Sequence, residues 1–294
     1  MRHAILIESQ PDFQQLLRKL AESTHVAIDT ESNSFYAYFE RVCLIQISVE
    51  EGDFVLDPLA IDDLRPLGEI LENEGIEKIF HAASNDLIGI KRDLKCCAKN
   101  IFDTAVAAKL LGRKKLGLAS ILSETFGVTL NKKWQRHDWA KRPLQPEQIS
   151  YARLDTHYLL PLRHLLAEDL TAKGLWQEAK DAFERICTQE VQEKVFQPNG
   201  FIHIKGAHTL NSESKRILKD LYRYREQEAK RRNRAPFRVL SNETLVRLAL
   251  NHPSNMQELA RIKGLPRNYQ NSKAAHGLLE LLRKTHNIPE DMRL

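Results

Sequence analysis

His25-Val-Ala-Ile-Asp-Thr-Glu31, then Arg41-Val-Cys-Leu-Ile-Gln-Ile-Ser48 and Asp53-Phe-Val-Leu-Asp57, are the runs on which the fold turns. Each is rich in β-branched and aromatic residues and bounded by polar breaks, so three consecutive strands are predicted, arranged as a meander. The first run carries two acids in apolar company. Asp29 and Glu31 are two residues apart, so on a strand both side chains leave by the same face, one strand repeat apart. Like charges held that close are costly without a cation between them. The plain alternative is a pair of solvent-facing acids on an edge strand.

Working outward, Asp62 to Glu74 has helical periodicity, Lys78-Ile-Phe80 is a further short strand, and helix-type spacing dominates from Asp86 to about Leu170. Residues 1–170 therefore form a mixed α/β domain. Gly174 and Gln197-Pro-Asn-Gly200 interrupt any continuous helix, which makes 171–206 a connecting segment. Four helices are predicted beyond it, Asn211 to Glu228, Ser241 to Leu250, Asn255 to Ile262 and Asn271 to Lys284, so 207–294 is a small helical bundle.

The chain has 294 residues, 42% hydrophobic and 28% charged, with only 12 Gly and 11 Pro. This composition excludes disordered and collagen-like classes, and the length exceeds what one small core serves. No stretch approaches the roughly 20 apolar residues of a membrane helix. Cys43, Cys96, Cys97 and Cys187 form no C-x-x-C pair, as expected of reduced thiols in a cytoplasmic protein. The net charge of +5 is unevenly spread: residues 1–204 hold 25 Lys/Arg against 30 Asp/Glu, residues 205–294 hold 19 against 9. A basic tail on an acidic chain is a footprint of polyanion binding as well as an ordinary solvated surface.

More acids join the first pair. Asp86 follows the strand Ile79-Phe-His81 after a short turn, which projects it over the end of the sheet, although an acid there also suits a helix N-terminus. Tyr151 and Asp155, four apart in the helical stretch Pro146 to Leu165, share a helix face. Four hard oxygen donors without a matching Cys or His set suit Mg²⁺ or Mn²⁺ far better than zinc. Two such cations about 4 Å apart activate water and stabilise the leaving oxygen of a phosphodiester, so the pattern is that of a hydrolytic nuclease. Gly112 to Gly117 imitates a phosphate loop, but Leu118 and Ala119 stand where Lys and Ser/Thr are required, so no nucleotide cofactor is expected.

At this point the chain resembles the tyrosine subclass of the DEDD exonuclease superfamily, and within it the ribonuclease D family. The resemblance lies in Asp29-Thr-Glu31, in His81-Ala-Ala-Ser-Asn-Asp86 and in Tyr151-Ala-Arg-Leu-Asp155-Thr-His-Tyr. It extends to Leu44-Ile-Gln-Ile47, Asp103-Thr104 and Asp138-Trp-Ala-Lys-Arg-Pro-Leu144, and the tail, with Arg225-Glu226, Pro236-Phe-Arg-Val-Leu240 and Glu258-Leu-Ala-Arg-Ile-Lys-Gly264, resembles a single HRDC module. The resemblance implies a ribonuclease H-like fold, two divalent metals on Asp29, Glu31, Asp86 and Asp155, a water oriented by Tyr151, and release of nucleotides from 3′ ends. It also implies that Gln46, His81, Asn85 and Phe35 lie beside the substrate, while the run Lys230-Arg231-Arg232-Asn-Arg234 is expected to meet phosphates. Trp134 and Trp139 suit base stacking and core packing equally. The expected partner is RNA with a single-stranded 3′ end, including transfer-RNA precursors, bound by a monomer. The rivals are a DNA exonuclease of the same superfamily, because nothing in the motifs reads a 2′-hydroxyl, and a catalytically silent nucleic-acid-binding protein.

Overall fold

Alternate residues along the central strands enter two different environments, and that alternation organises the catalytic half. The structure, a computed structural model, describes residues 4–131, 133–188, 195–270 and 272–286. It divides into two units, Met1–Phe35 with Glu40–Gln192 and Tyr36–Phe39 with Glu193–Leu294.

In the first unit β1 (Ile5–Ile7), β2 (His25–Ser32), β3 (Val42–Val49), β4 (Gly52–Leu56), β5 (Glu77–Phe80) and β6 (Ile101–Asp103) make one mixed sheet in the order β1-β4-β3-β2-β5-β6. The meander is present: β2, β3 and β4 run antiparallel, while β1 joins β4, and β5 joins both β2 and β6, in parallel. Asp29 stands opposite Gln46, Glu31 opposite Leu44 and Ala27 opposite Ser48. With a period of two, Val26, Ile28, Ile45, Ile47, Phe54 and Leu56 fall on one face. They join a large core with Phe13, Leu16 and Leu20 of α1 (Gln10–Glu22) and Leu67, Ile70 and Leu71 of α2 (Arg65–Glu72). Their neighbours Asp29, Glu31, Gln46, Ser48 and Asp53 fall on the other.

The remaining helices of this unit are α3 (Ser84–Leu94), α4 (Thr104–Leu110), α5 (Leu118–Phe126), α6 (Pro146–His157), α7 (Leu159–Ala172) and α8 (Trp176–Cys187). Three features depart from the sequence reading. β1 and β6 were not predicted, because three residues are too few to register a period of two; β6 interrupts the stretch expected to be helical from Asp86 onward. Gly127, at φ 67°, ends α5, and the described residues between it and Pro146, where α6 begins, hold no helix or strand. Finally, α8 occupies part of 171–206: Gly174 at φ 68° separates it from α7, and Phe183 packs 4.9 Å from Phe102 of β6. Residues 189–194 of that segment lie outside the described set. No helix among the described residues is long and apolar enough to cross a membrane.

The second unit holds α9 (Ser212–Arg231), α10 (Pro236–Val239), α11 (Asn242–Asn251), α12 (Met256–Ala260) and α13 (Lys273–His286). Asn211, Ser241 and Asn255 begin α9, α11 and α12, each side chain accepting a backbone N–H of the first turn. Leu218, Leu221, Leu245, Leu248, Tyr269 and Leu278 fill its core. Buried Arg225 donates to the Leu240 carbonyl at 3.2 Å and to Asn242 at 2.7 Å, tying α9 to the turn after α10. Tyr38 donates to Glu226 at 2.6 Å, and the Ala235 N–H to the Tyr36 carbonyl at 2.9 Å. The last helix, expected from Asn271, starts at Lys273; Asn271 itself and residues 287–294 of the expected 207–294 bundle lie outside the described residues.

Candidate active site

β2 delivers Asp29 and Glu31 to the polar face, and the pairing of β2 with β3 shifts register between Glu31 and Ser32. Such bulges commonly re-aim side chains beside active sites. Asp86, in the first turn of α3, is tied directly to this strand: Thr30 donates to Asp86 Oδ1 from its backbone N–H at 3.0 Å and from its hydroxyl at 2.6 Å.

The turn that carries Asp86 is held from below. Asp103, 1% exposed, caps α4 by accepting the Ala105 and Val106 N–H groups, and it also accepts those of Ala82 at 3.1 Å and Ala83 at 2.9 Å. Ala82 takes φ 59°, a left-handed conformation unusual for a residue with a Cβ. One carboxylate thus fixes both the strand-to-helix turn and the next helix, a role that sequence motifs leave unassigned. His81 is drawn into the same corner: its Nδ1 lies 2.9 Å from the Thr104 hydroxyl, and burial lowers its pKa. Asn85 is exposed on the first turn of α3.

α6 brings Tyr151 and Asp155 over β3 and β4, and a buried polar network holds it there. Ser48 Oγ lies 2.7 Å from both Asp53 and the Thr156 hydroxyl, Arg153 donates to Asp53 at 3.1 Å, and His157 approaches Asp53 at 2.9 Å. The side chains of Asp53 and Arg153 are only 6% and 7% exposed. Tyr151 stacks on Trp139 at 6.1 Å between ring centres. Trp139 is 1% exposed, which decides for core packing over base stacking. Its loop is clamped by Arg142, which grips Asp57 with two nitrogens and donates to the carbonyls of Cys43 and Trp139 at 2.8 and 2.7 Å. Phe35 remains 44% exposed, with the Arg136 guanidinium 5.9 Å from its ring centre.

Electrostatics show how close the acids stand. Burial, reinforced by Asp86, Asp155 and Glu31, raises the pKa of Asp29 well above the usual carboxylate range. Glu31 is pushed up to about 9 by burial and by Asp155 and Asp86. Asp155 is raised by burial and by Asp86; Asp86 is raised by burial, against which the two bonds from Thr30 act. Tyr151 is raised by burial and then by Asp155, Glu31 and Asp29, so its phenol is neutral at physiological pH. Among the described residues no three His, Cys, Asp or Glu side chains form a ready-made cation cage. The donor chemistry nevertheless fits a hard divalent cation: four carboxylates, no soft ligand, and mutual repulsion that a positive charge relieves. Of the basic run in the second unit, Lys230, Arg231 and Arg234 are exposed, but Arg231 pairs with Glu228 at 2.8 Å and half-buried Arg232 pairs with the same carboxylate.

A mixed sheet with an Asp-x-Glu strand, an acid on the following strand-to-helix turn and a Tyr-x-x-x-Asp helix above it defines the DEDD class of 3′-5′ exonuclease. The chain matches the 3′-5′ exonuclease family over residues 4–171 and the HRDC domain over residues 214–282. Escherichia coli RNase D, described as an exoribonuclease involved in structured RNA processing, superposes with a TM-score of 0.74 at 30% identity, covering 99% of this chain and 77% of that one. Ribonuclease D of Desulfotalea psychrophila is 29% identical over 88% of this chain and 70% of its own length. The exosome complex component 10 homolog of Caenorhabditis elegans is 32% identical over 85% of this chain, which spans only 29% of that relative. The chain belongs to the ribonuclease D family of 3′-5′ exonucleases, hydrolases that depend on divalent metal.

Proposed function

We propose that this protein is a 3′-5′ exoribonuclease using two divalent cations, Mg²⁺ or Mn²⁺, to remove nucleoside 5′-monophosphates from single-stranded RNA 3′ ends, with transfer-RNA precursors and other stable RNAs as substrates. What supports the reading is the placement of Asp29 and Glu31 on one face of β2 with Asp86 bonded to Thr30 of the same strand, and the mutual raising of Asp29, Glu31, Asp155 and Tyr151, a repulsion that makes little sense in a protein that only binds polyanions. Its relatives named ribonuclease D favour RNA over DNA as the substrate. The enzyme acts as a monomer in the cytoplasm, in keeping with four free cysteines.

Asp29, Glu31 and Asp155 would hold the cation on the side of the attacking water, and Asp29 with Asp86 the other. When bound, such cations supply Lewis acidity to the phosphodiester and lower the pKa of water. Tyr151, neutral and braced by Trp139, orients the attacking water through its hydroxyl, while the proton that water loses would pass to a carboxylate or to solvent, the conjugate bases of stronger acids than a phenol. The new bond joins the water oxygen to phosphorus, and the bond to the 3′ oxygen of the shortened chain breaks. His81, Asn85 and Phe35 line the approach of the terminal nucleotide, whereas Gln46, expected to join them, has no exposed surface with which to meet it.

Digestion of matched 3′-labelled RNA and DNA oligonucleotides tests this. The expected result is mononucleotide release from RNA that EDTA abolishes and Mg²⁺ or Mn²⁺ restores; faster digestion of the DNA would reverse the substrate assignment. Tyr151→Phe should lower kcat about 100-fold, the scale of a misplaced reactant, while Mn²⁺ affinity measured by calorimetry stays unchanged. For the second unit, the exposed pair Lys230 and Arg234 is expected to meet phosphates. Changing both to Ala should flatten the slope of log K against log salt by about 1.4, at roughly 0.7 per single-strand contact; an unaltered slope in a filter-binding titration would exclude them.

A further inference from the structure

Gln46 occupies the middle of β3, fully buried, directly across from Asp29 in the antiparallel pair. Cross-strand partners share a sheet face with Cβ atoms about 5 Å apart, so its carboxamide lies on the acid-bearing face beneath α6. Neither Nε2 nor Oε1 has a hydrogen-bond partner among the described residues. Native proteins seldom keep a buried amide in that condition without a ligand, ion or water to meet it. Its neighbours on the same face, Leu44 and Val55, are apolar, and a leucine would fill the position with no polar group left over. In the cation-free fold the carboxamide is sealed from water and nucleotide alike, and a base or sugar needs a far larger opening to reach it than a single water does. A hydrated divalent cation on Asp29 is a good match for it, because hard cations keep several of their waters. With a cation bound, such waters would offer O–H donors to Oε1, and the Asp29 carboxylate, which takes no bond from Gln46 in the cation-free fold, would offer an acceptor to Nε2–H.

We infer that Gln46 is a positioning residue of the cation site, its carboxamide joining the Asp29 carboxylate to the hydration shell of the bound cation. This rests on the metal-dependent reading proposed above and changes the role of Gln46 from substrate contact to support of the metal site. Outer groups of this kind are typically worth 10- to 100-fold in metal affinity.

The test uses the full chain, with calorimetric titration of Mn²⁺ and thermal melting in cation-free buffer, for wild type, Gln46→Leu and Gln46→Met. Two variants are used so that a packing fault in one does not end the comparison. The inference expects wild type to bind Mn²⁺ and both variants to bind it at least about tenfold more weakly, while their cation-free melting temperatures match or exceed that of wild type. Equal Mn²⁺ affinity in a folded variant overturns it. So does a loss of affinity accompanied by a comparable loss of cation-free stability, which would make Gln46 a packing residue. Failure of the wild type to bind Mn²⁺ would instead overturn the metal-dependent function on which it rests.

Discussion

Asp155→Asn yields a protein that melts higher than wild type in cation-free buffer and releases mononucleotides at least about 1000-fold more slowly, equivalent to ~4 kcal/mol of barrier. Both effects come from one cause. Asp155 is held among Asp29, Glu31 and Asp86, and its carboxyl is raised by burial and by the charge of Asp86. An amide removes that repulsion from the cation-free fold, and with it a donor the cations need. Scanning calorimetry with EDTA present, paired with digestion of 3′-labelled RNA in Mg²⁺, measures the two effects. Wild-type turnover by the variant would remove Asp155 from the catalytic set.

Asp53→Ala loses about 3–5 kcal/mol of stability, although Asp53 touches none of the four acids. It accepts from Arg153, Ser48 and His157, and removing one member of a buried ion pair leaves the other charge inadequately compensated. Urea unfolding checks the size of the loss. Replacing both partners, Asp53→Leu with Arg153→Met, should recover most of it, since apolar pairs often substitute for buried ion pairs without penalty. Neither variant should reach wild-type kcat, because Arg153 lies between Tyr151 and Asp155 on α6 and anchors the turn that aims them. A folded double variant with wild-type kcat would show that the helix needs no such anchor.

These two predictions mark where the sequence could be read and where it could not. Asp29 and Glu31 were legible because a period of two in an apolar run makes two acids conspicuous, and Asp86, Tyr151 and Asp155 because their motifs keep strict local spacing. Asp103 and Asp53 were not, since the bonds that set the site, from Asp103 to Ala82 and Ala83 and from Asp53 to Arg153 and His157, span 20 to 104 positions that only the folded chain brings together. The pairing of Arg231 and Arg232 with Glu228 was available from three- and four-residue helical spacing, but a dense basic run draws attention to its own charge first. The strands β1 and β6 fell below the length at which periodicity carries information. Trp139 lacked any local signal of burial, because the residues it packs with, Leu44, Val55 and Ala152, come from β3, β4 and α6.

The pairing of Asp29 with Gln46 acts as an interlock on folding. Slipping β2 against β3 by one residue would turn the acids toward the greasy core and expose Val26 and Ile28 of β2 on the opposite face. A slipped chain could satisfy neither face, so the wrong register would forfeit the apolar core along with the acid-bearing face. Stability and the placement of the acids are thus decided by the same register: a molecule that keeps its core has, by that fact, its carboxylates on the proper face.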